Sequence, residues 1–115
     1  MTISANEWEL LAFFSVEPTT VDADVSWPYN EYTYSGKIDG YSFRCVLSPA
    51  DHGIEFSVKR ENEQLYFLRA RAAQDVLYME SNDTEHLKVF LSEMDHVQVT
   101  LRPSFQVQHD FETAT

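Results

Sequence analysis

The chain has 115 residues, with 8 Lys plus Arg against 19 Asp plus Glu, a formal net charge of -11 and a single cysteine. A chain of this length, 43% hydrophobic, is predicted to form one globular domain over residues 1–115 with a core that needs no disulfide. The acidic balance argues against nucleic acid and anionic membranes as ligands, because both bind proteins mainly through Lys and Arg.

The single cysteine, Cys45, cannot form an intramolecular disulfide, and it lies among apolar neighbours. This usage favours a reducing compartment, and we predict a cytoplasmic protein. No basic region precedes the short apolar stretch near the N-terminus, and no run approaches the roughly eighteen apolar residues of a membrane span. Neither a signal peptide nor a membrane span is therefore expected.

The acidic residues are concentrated early in the chain. Residues 1–36 contain six acids and no Lys or Arg, whereas residues 37–102 contain all eight bases and eleven acids. Such a distribution indicates either a solvated surface or a charged face that docks a basic protein, and the sequence leaves both interpretations open.

The first predicted element is a helix of about ten residues. Ser4 and Asn6 each stand three residues before a glutamate, which is the spacing of a capping box. Apolar residues follow at once, and Pro18 is expected to stop the helix. Residues 17–30 are then predicted to form an extended acidic loop.

From residue 31 the apolar positions alternate, which predicts antiparallel strands. Asp39-Gly40 is the strongest hairpin signal in the chain, and loops at Glu61-Asn62 and Asn82-Asp83 predict two more hairpins. The first hairpin is predicted to pair Ile38 with Tyr41, Gly36 with Phe43, Tyr34 with Cys45 and Tyr32 with Leu47. The second is predicted to pair Val58 with Leu65 and Phe56 with Phe67, and the third Tyr78 with Leu87 and Val76 with Val89.

The last clear strand carries Val97, Val99 and Leu101, and Leu91 is predicted to lie opposite Val97. Segment 103–115 is predicted to form either a short final strand or a strap over the sheet. Because no helix separates the strands, we predict an α+β fold in which the N-terminal helix packs on a curved antiparallel meander sheet of six or seven strands. Tyr66 and Leu68 place apolar groups on the second face of this sheet, so the helix or a partner is expected to cover it.

The sequence contains no motif for catalysis, cofactor binding or metal binding. The glycines are too dispersed for a phosphate loop, and the four histidines lack metal-ligand spacing. Cys45 is expected to be a buried small hydrophobe rather than a nucleophile. Asp22 and Asp24, joined by Glu17 and Asp51, could offer oxygens to Ca²⁺, but the spacing of a calcium-binding loop is absent. We therefore predict that the chain is not an enzyme and binds no metal or cofactor.

The most informative segment combines acids with aromatic residues. Asp22, Asp24, Trp27, Tyr29 and Glu31 occur within ten residues, and aromatic anchors rimmed by charge are typical of protein interfaces. We predict that these five residues bind a basic protein partner, with Tyr29 and the three acids exposed. Trp27 has a second interpretation, as a plug for one end of the sheet.

The order Glu17-Pro18, Trp27-Pro28-Tyr29-Asn30, then a strand from Tyr32 to Lys37 and a hairpin resembles small bacterial immunity proteins of polymorphic toxin systems, including those of contact-dependent growth inhibition. The resemblance covers the first half of the chain in detail and the rest only in architecture. It implies a cytoplasmic, non-enzymatic protein that binds and neutralises a cognate toxin. A toxin that cuts nucleic acid would need a basic surface, which an acidic protein can occupy.

Two other functions fit the same composition. A small acidic secretion chaperone or adaptor would form a stable homodimer with a groove for an extended segment. A small-ligand carrier would need a cavity inside the sheet, which the large inward Tyr and Phe side chains are predicted to fill. Whether the chain is a monomer or a homodimer is left open by the sequence.

Overall fold

A computed structural model describes residues 2–111, without the side chain of residue 111. Over that range the chain forms one α-helix, one short 3-10 helix and nine β-strands. The elements, in chain order, are α1 (Glu7–Phe14), β1 (Thr19–Thr20), β2 (Tyr32–Ile38), β3 (Tyr41–Ser48), the 3-10 helix (Pro49–Asp51), β4 (Gly53–Arg60), β5 (Glu63–Ala70), β6 (Asp75–Ser81), β7 (Thr84–Ser92), β8 (Asp95–Thr100) and β9 (Gln106–Phe111).

The strands form two antiparallel sheets, so the prediction of one sheet of six or seven strands is wrong. The orders are β1-β2-β3-β4-β5 and β6-β7-β8-β9. The meander is interrupted between β5 and β6, where the amide of Ala73 donates to the carbonyl of His52 and that of Gln74 to the carbonyl of Phe90. Residues 71–74 therefore lead from one sheet to the other instead of turning back into a hairpin.

One buried cluster contains side chains from α1 and from both sheets. Phe14 of the helix stacks on Tyr34 at 4.6 Å and on Phe43 at 5.6 Å between ring centroids. From the second sheet, Val76 and Val99 are buried in the same cluster. Tyr66 and Leu68, which were predicted to lie on the second face of the sheet, are partly buried against this shared core.

Helix α1 begins as predicted and ends sooner. Asn6 and Glu9 form the capping box, with Asn6 Oδ1 accepting from the amide of Glu9 at 2.9 Å. The helix ends at Phe14, where Ser15 adopts a left-handed conformation (φ 56°) and its amide bonds to the carbonyl of Leu11 at 2.8 Å. The expectation that Pro18 stops the helix is therefore wrong, because the left-handed cap intervenes first.

The predicted register of the first hairpin is confirmed at every pair, from Ile38 opposite Tyr41 to Tyr32 opposite Leu47. The third hairpin is confirmed as well, with Tyr78 opposite Leu87 and Val76 opposite Val89. In both cases the turn residues and the buried face select the same register.

The predicted register of the second hairpin is wrong beyond its turn. Val58 pairs with Tyr66 and not with Leu65, and the register shifts between Val58 and Lys59. This bulge inserts one residue into β5, and a shift of one residue exchanges the two faces of a strand. Phe67, predicted to point inward, is 43% exposed as a result.

The predicted pairing of β7 with β8 is wrong too, because the turn between them is shorter than expected and a second bulge follows it. Ser92 already pairs with Asp95 across a tight turn, and the register then shifts by one residue between Phe90 and Ser92, so Val97 lies opposite Val89 and not Leu91. Segment 103–115 contains a true final strand, β9, which pairs with β8; residues 112–115 lie outside the described residues. Within residues 2–111 the only α-helix has eight residues and is too short to cross a membrane.

Candidate functional site

The loop of residues 21–31 is organised around the buried side chain of Asn30. Its Nδ2 donates to the carbonyls of Asp22 at 2.6 Å and Val25 at 2.8 Å. Its Oδ1 accepts from the amides of Glu31 at 2.9 Å and Asp22 at 3.3 Å. One amide side chain thus ties together both ends of the 21–31 loop, which fixes where its acids and aromatic rings lie.

The aspartates lie in a tight turn at the start of this loop. Asp22 Oδ1 accepts from the amide of Asp24 at 3.0 Å, and the carbonyl of Asp22 accepts from the amide of Val25. Both aspartates and Glu31 are exposed, and Tyr29 is 77% exposed. The predicted exposure of these four residues is confirmed.

Trp27 and Tyr29 point to different environments. Trp27 is partly buried against the core, with its ring 5.1 Å from that of Tyr32. Of the two aromatic residues predicted to bind a partner, only Tyr29 presents most of its ring to solvent, and Trp27 plugs the core as in its second interpretation. Val21, exposed at 75%, lies on the same cavity as Tyr29.

The 21–31 loop and the 3-10 helix enclose a surface cavity of about 290 Å³. The two segments are joined by a hydrogen bond from the amide of Ala50 to the carbonyl of Pro28. Asp22, Glu31 and Asp51 all line this cavity, whereas Asp24 does not. Asp51 was not among the five predicted partner-binding residues, although the sequence grouped it with Asp22 and Asp24 as a possible oxygen donor. It lies twenty positions beyond Glu31, and the fold brings the two residues to one cavity.

No Lys or Arg in the described part of the chain lines this cavity. No Lys or Arg among residues 2–111 forms an ion pair with Asp22, Glu31 or Asp51. A neighbouring depression of about 270 Å³ shares Glu31 and Asp51 and is also lined by Arg71 and by the pair Glu55–Arg69, whose charged atoms are 3.6 Å apart. We call the surface formed by Val21, Asp22, Tyr29, Glu31 and Asp51 the acidic rim.

Three of the histidines contact other side chains within the fold. His86 Nδ1 lies 2.8 Å from the hydroxyl of Thr100, and His96 lies 3.5 Å from Asp110. His109 pairs with Asp95 across β8 and β9. Among residues 2–111 no group of three or more His, Cys, Asp or Glu could hold a metal ion.

Two buried polar side chains of β2 and β3 are kept neutral by their surroundings. Cys45 is fully buried, as predicted, and desolvation raises the pKa of its thiol to about 12. Burial likewise raises the pKa of Tyr34, whose hydroxyl has no hydrogen-bond partner in the described part of the chain. A thiol with so high a pKa is a core residue and a poor nucleophile.

No protein-family model and no curated protein matches the chain. Its fold is similar to a chain in the solved structure of a contact-dependent growth inhibition toxin–immunity protein complex from Klebsiella pneumoniae 342. The similarity has a TM-score of 0.76 and 18% sequence identity, and it covers 96% of this chain and 98% of that chain. The likeness to contact-dependent growth inhibition systems indicated by residues 17–37 is therefore found again in the whole fold.

Proposed function

We propose that this protein is the immunity member of a toxin–immunity pair and that it neutralises a cognate toxin by binding a basic surface with the acidic rim. The carrying observation is the exposed ring of Tyr29 beside three carboxylates that form no ion pair within residues 2–111. Asp22 and Glu31 are positioned by the loop that Asn30 holds in place, and Asp51 by the adjoining 3-10 helix. The shared fold with a chain of a toxin–immunity complex supports the same function.

The chemistry of the rim favours one class of partner. Exposed Tyr is a frequent interface anchor, and a surrounding ring of like charges speeds and orients the approach of an opposite surface. A toxin that cuts nucleic acid carries such a basic surface, because its substrate is a polyanion. We propose that the toxin is a nuclease, that neutralisation occurs in the cytoplasm, and that it works by occlusion without catalysis by this chain.

The experiment looks for a toxin-like gene beside the gene of this chain and uses its product as the probe; the absence of any such gene would count against the proposal. Expression of that gene should arrest growth, and co-expression of this chain should restore it and yield a purifiable complex. If this chain arrests growth by itself, or does not protect against the neighbouring gene product, the assignment as the immunity member is wrong.

The acidic rim is tested separately with two variants, each of which replaces one acid by lysine. Glu31→Lys and Asp51→Lys reverse acids on the cavity, and each should weaken toxin binding about tenfold, mainly through a slower association rate. Asp24→Lys is the matched control, because it reverses an exposed acid of the same loop that does not line the cavity. Equal losses in all three variants would mean that only overall charge matters and that the rim is not the interface.

A further inference from the structure

Three of the eight basic residues gather on the outer face of the five-stranded sheet. Lys37, Arg44 and Lys59 line a single depression of about 400 Å³. They lie on β2, β3 and β4, on the face opposite the buried Tyr34, Cys45 and Phe56. The acidic rim uses none of these residues.

Strand register places a serine beside each base. Ser42 lies between Lys37 on one neighbouring strand and Lys59 on the other. In the next row Arg44 lies between two more serines, Ser35 and Ser57. Because neighbouring strands are about 4.8 Å apart, the two lysines are separated by roughly 10 Å, and their long side chains can reach one small ligand between them.

The three bases of this depression have no acidic partner within residues 2–111, although the chain is strongly acidic. No acidic side chain of the described range lines the depression, and none of its three bases forms an ion pair with another described residue. Like charges at neighbouring positions of a sheet repel, so the arrangement gains most when an anion lies between them. We propose that the depression formed by Lys37, Arg44 and Lys59 binds a phosphate group.

The donor set matches a phosphate oxyanion. A guanidinium can donate two parallel hydrogen bonds to phosphate oxygens, while the ammonium groups supply compact positive charge. The hydroxyls of Ser35, Ser42 and Ser57 add neutral donors to the remaining oxygens. Ser42 and Ser57 are half-buried in the sheet surface, so their hydroxyls are held close to where the anion would sit.

The acidic rim does not cancel this site. Glu31 precedes Lys37 by six residues along the β2 segment, which is roughly 20 Å at the rise of a strand. Charges at that distance are largely screened, since the Debye length is about 8 Å at physiological salt. A long nucleic acid backbone would instead run past the acidic end of the same sheet face, so a compact phosphate group is the favoured ligand.

The test titrates inorganic phosphate into ¹⁵N-labelled protein, with chloride adjusted to hold the ionic strength constant. Amide shifts should saturate and be confined to the segments around Lys37, Arg44 and Lys59. Arg44→Gln should raise the dissociation constant about tenfold, because it removes the bidentate donor. Arg71→Gln, an exposed base outside the depression, is the matched control and should leave the constant unchanged.

Further titrations separate the sources of the phosphate and can overturn the proposal. Tighter binding of a nucleoside 5′-monophosphate would assign the phosphate to a nucleotide, whereas equal binding would assign it to the free ion. Shifts that do not saturate, that chloride alone reproduces, or that persist in both Arg44→Gln and Lys37→Gln/Lys59→Gln would refute the site. Stronger binding of a single-stranded oligonucleotide on this face would replace the proposal with nucleic acid binding. None of these outcomes bears on the acidic rim.

Discussion

Replacement of Asn30 by Ala tests whether one buried amide organises the candidate docking surface. Asn30 is 7% exposed and makes four hydrogen bonds with the backbone of Asp22, Val25 and Glu31. Three of them are 2.9 Å or shorter, and the fourth, from the amide of Asp22, is 3.3 Å. Alanine removes every one of these contacts while leaving the backbone chemistry unchanged.

The expected cost follows from the number and quality of these bonds. A typical intramolecular hydrogen bond contributes about 1 kcal/mol net, so the loss of the three short bonds and the weak fourth should lower the free energy of unfolding by about 2 to 4 kcal/mol. The carbonyl of Asp22 keeps its hydrogen bond from the amide of Val25, and water can reach parts of the exposed loop. The expected loss in the free energy of unfolding is therefore smaller than that for four fully buried polar groups left without partners.

The assay is urea denaturation followed by tryptophan fluorescence, since Trp27 lies within the 21–31 loop. Gln74→Ala is the control, because it removes an exposed amide side chain and should change stability by less than about 0.5 kcal/mol. Asn30→Asp should be no better than Asn30→Ala, because a carboxylate would face two carbonyl oxygens. A loss below about 1 kcal/mol for Asn30→Ala, with unchanged amide shifts in the loop, would refute the assignment of Asn30 as its organiser.

Two further predictions concern buried or paired groups elsewhere. The pKa of about 12 at Cys45 predicts that thiol reagents at pH 8 label the protein only as fast as it unfolds, and rapid labelling in native buffer would contradict the burial of β3. Burial alone would raise the pKa of Asp75, but hydrogen bonds from Ser4 and Val76 hold it below its usual value. A lowered pKa stabilises the fold above the unfolded value of about 3.9, and this contribution is lost as pH falls through the folded pKa. Ser4→Ala should therefore flatten the stability profile below about pH 4, as measured by urea midpoints, and an unchanged profile would count against this pairing.

The candidate docking site was predictable in part. Tyr29 and the acids of residues 22–31 stand out because aromatic anchors bordered by charge are typical of protein interfaces. The place of Asp51 beside Glu31 was not predictable, since it depends on the 3-10 helix after β3 packing under the 21–31 loop. Trp27 is the opposite case, because Trp is a residue type typical of interfaces and yet its ring is partly buried against the core.

By itself the sequence determined the elements whose causes are local. The capping box of Asn6, the two-residue turns at Asp39-Gly40 and Asn82-Asp83, and the alternating patterns beside these turns are short-range features. They specified the helix start and the registers of the first and third hairpins. Only the tertiary structure decided the bulges in β5 and β7, the division into two sheets and the position of the acidic rim. Each of these depends on which faces can be buried against each other across the core, and such long-range packing leaves no mark within a single turn or strand.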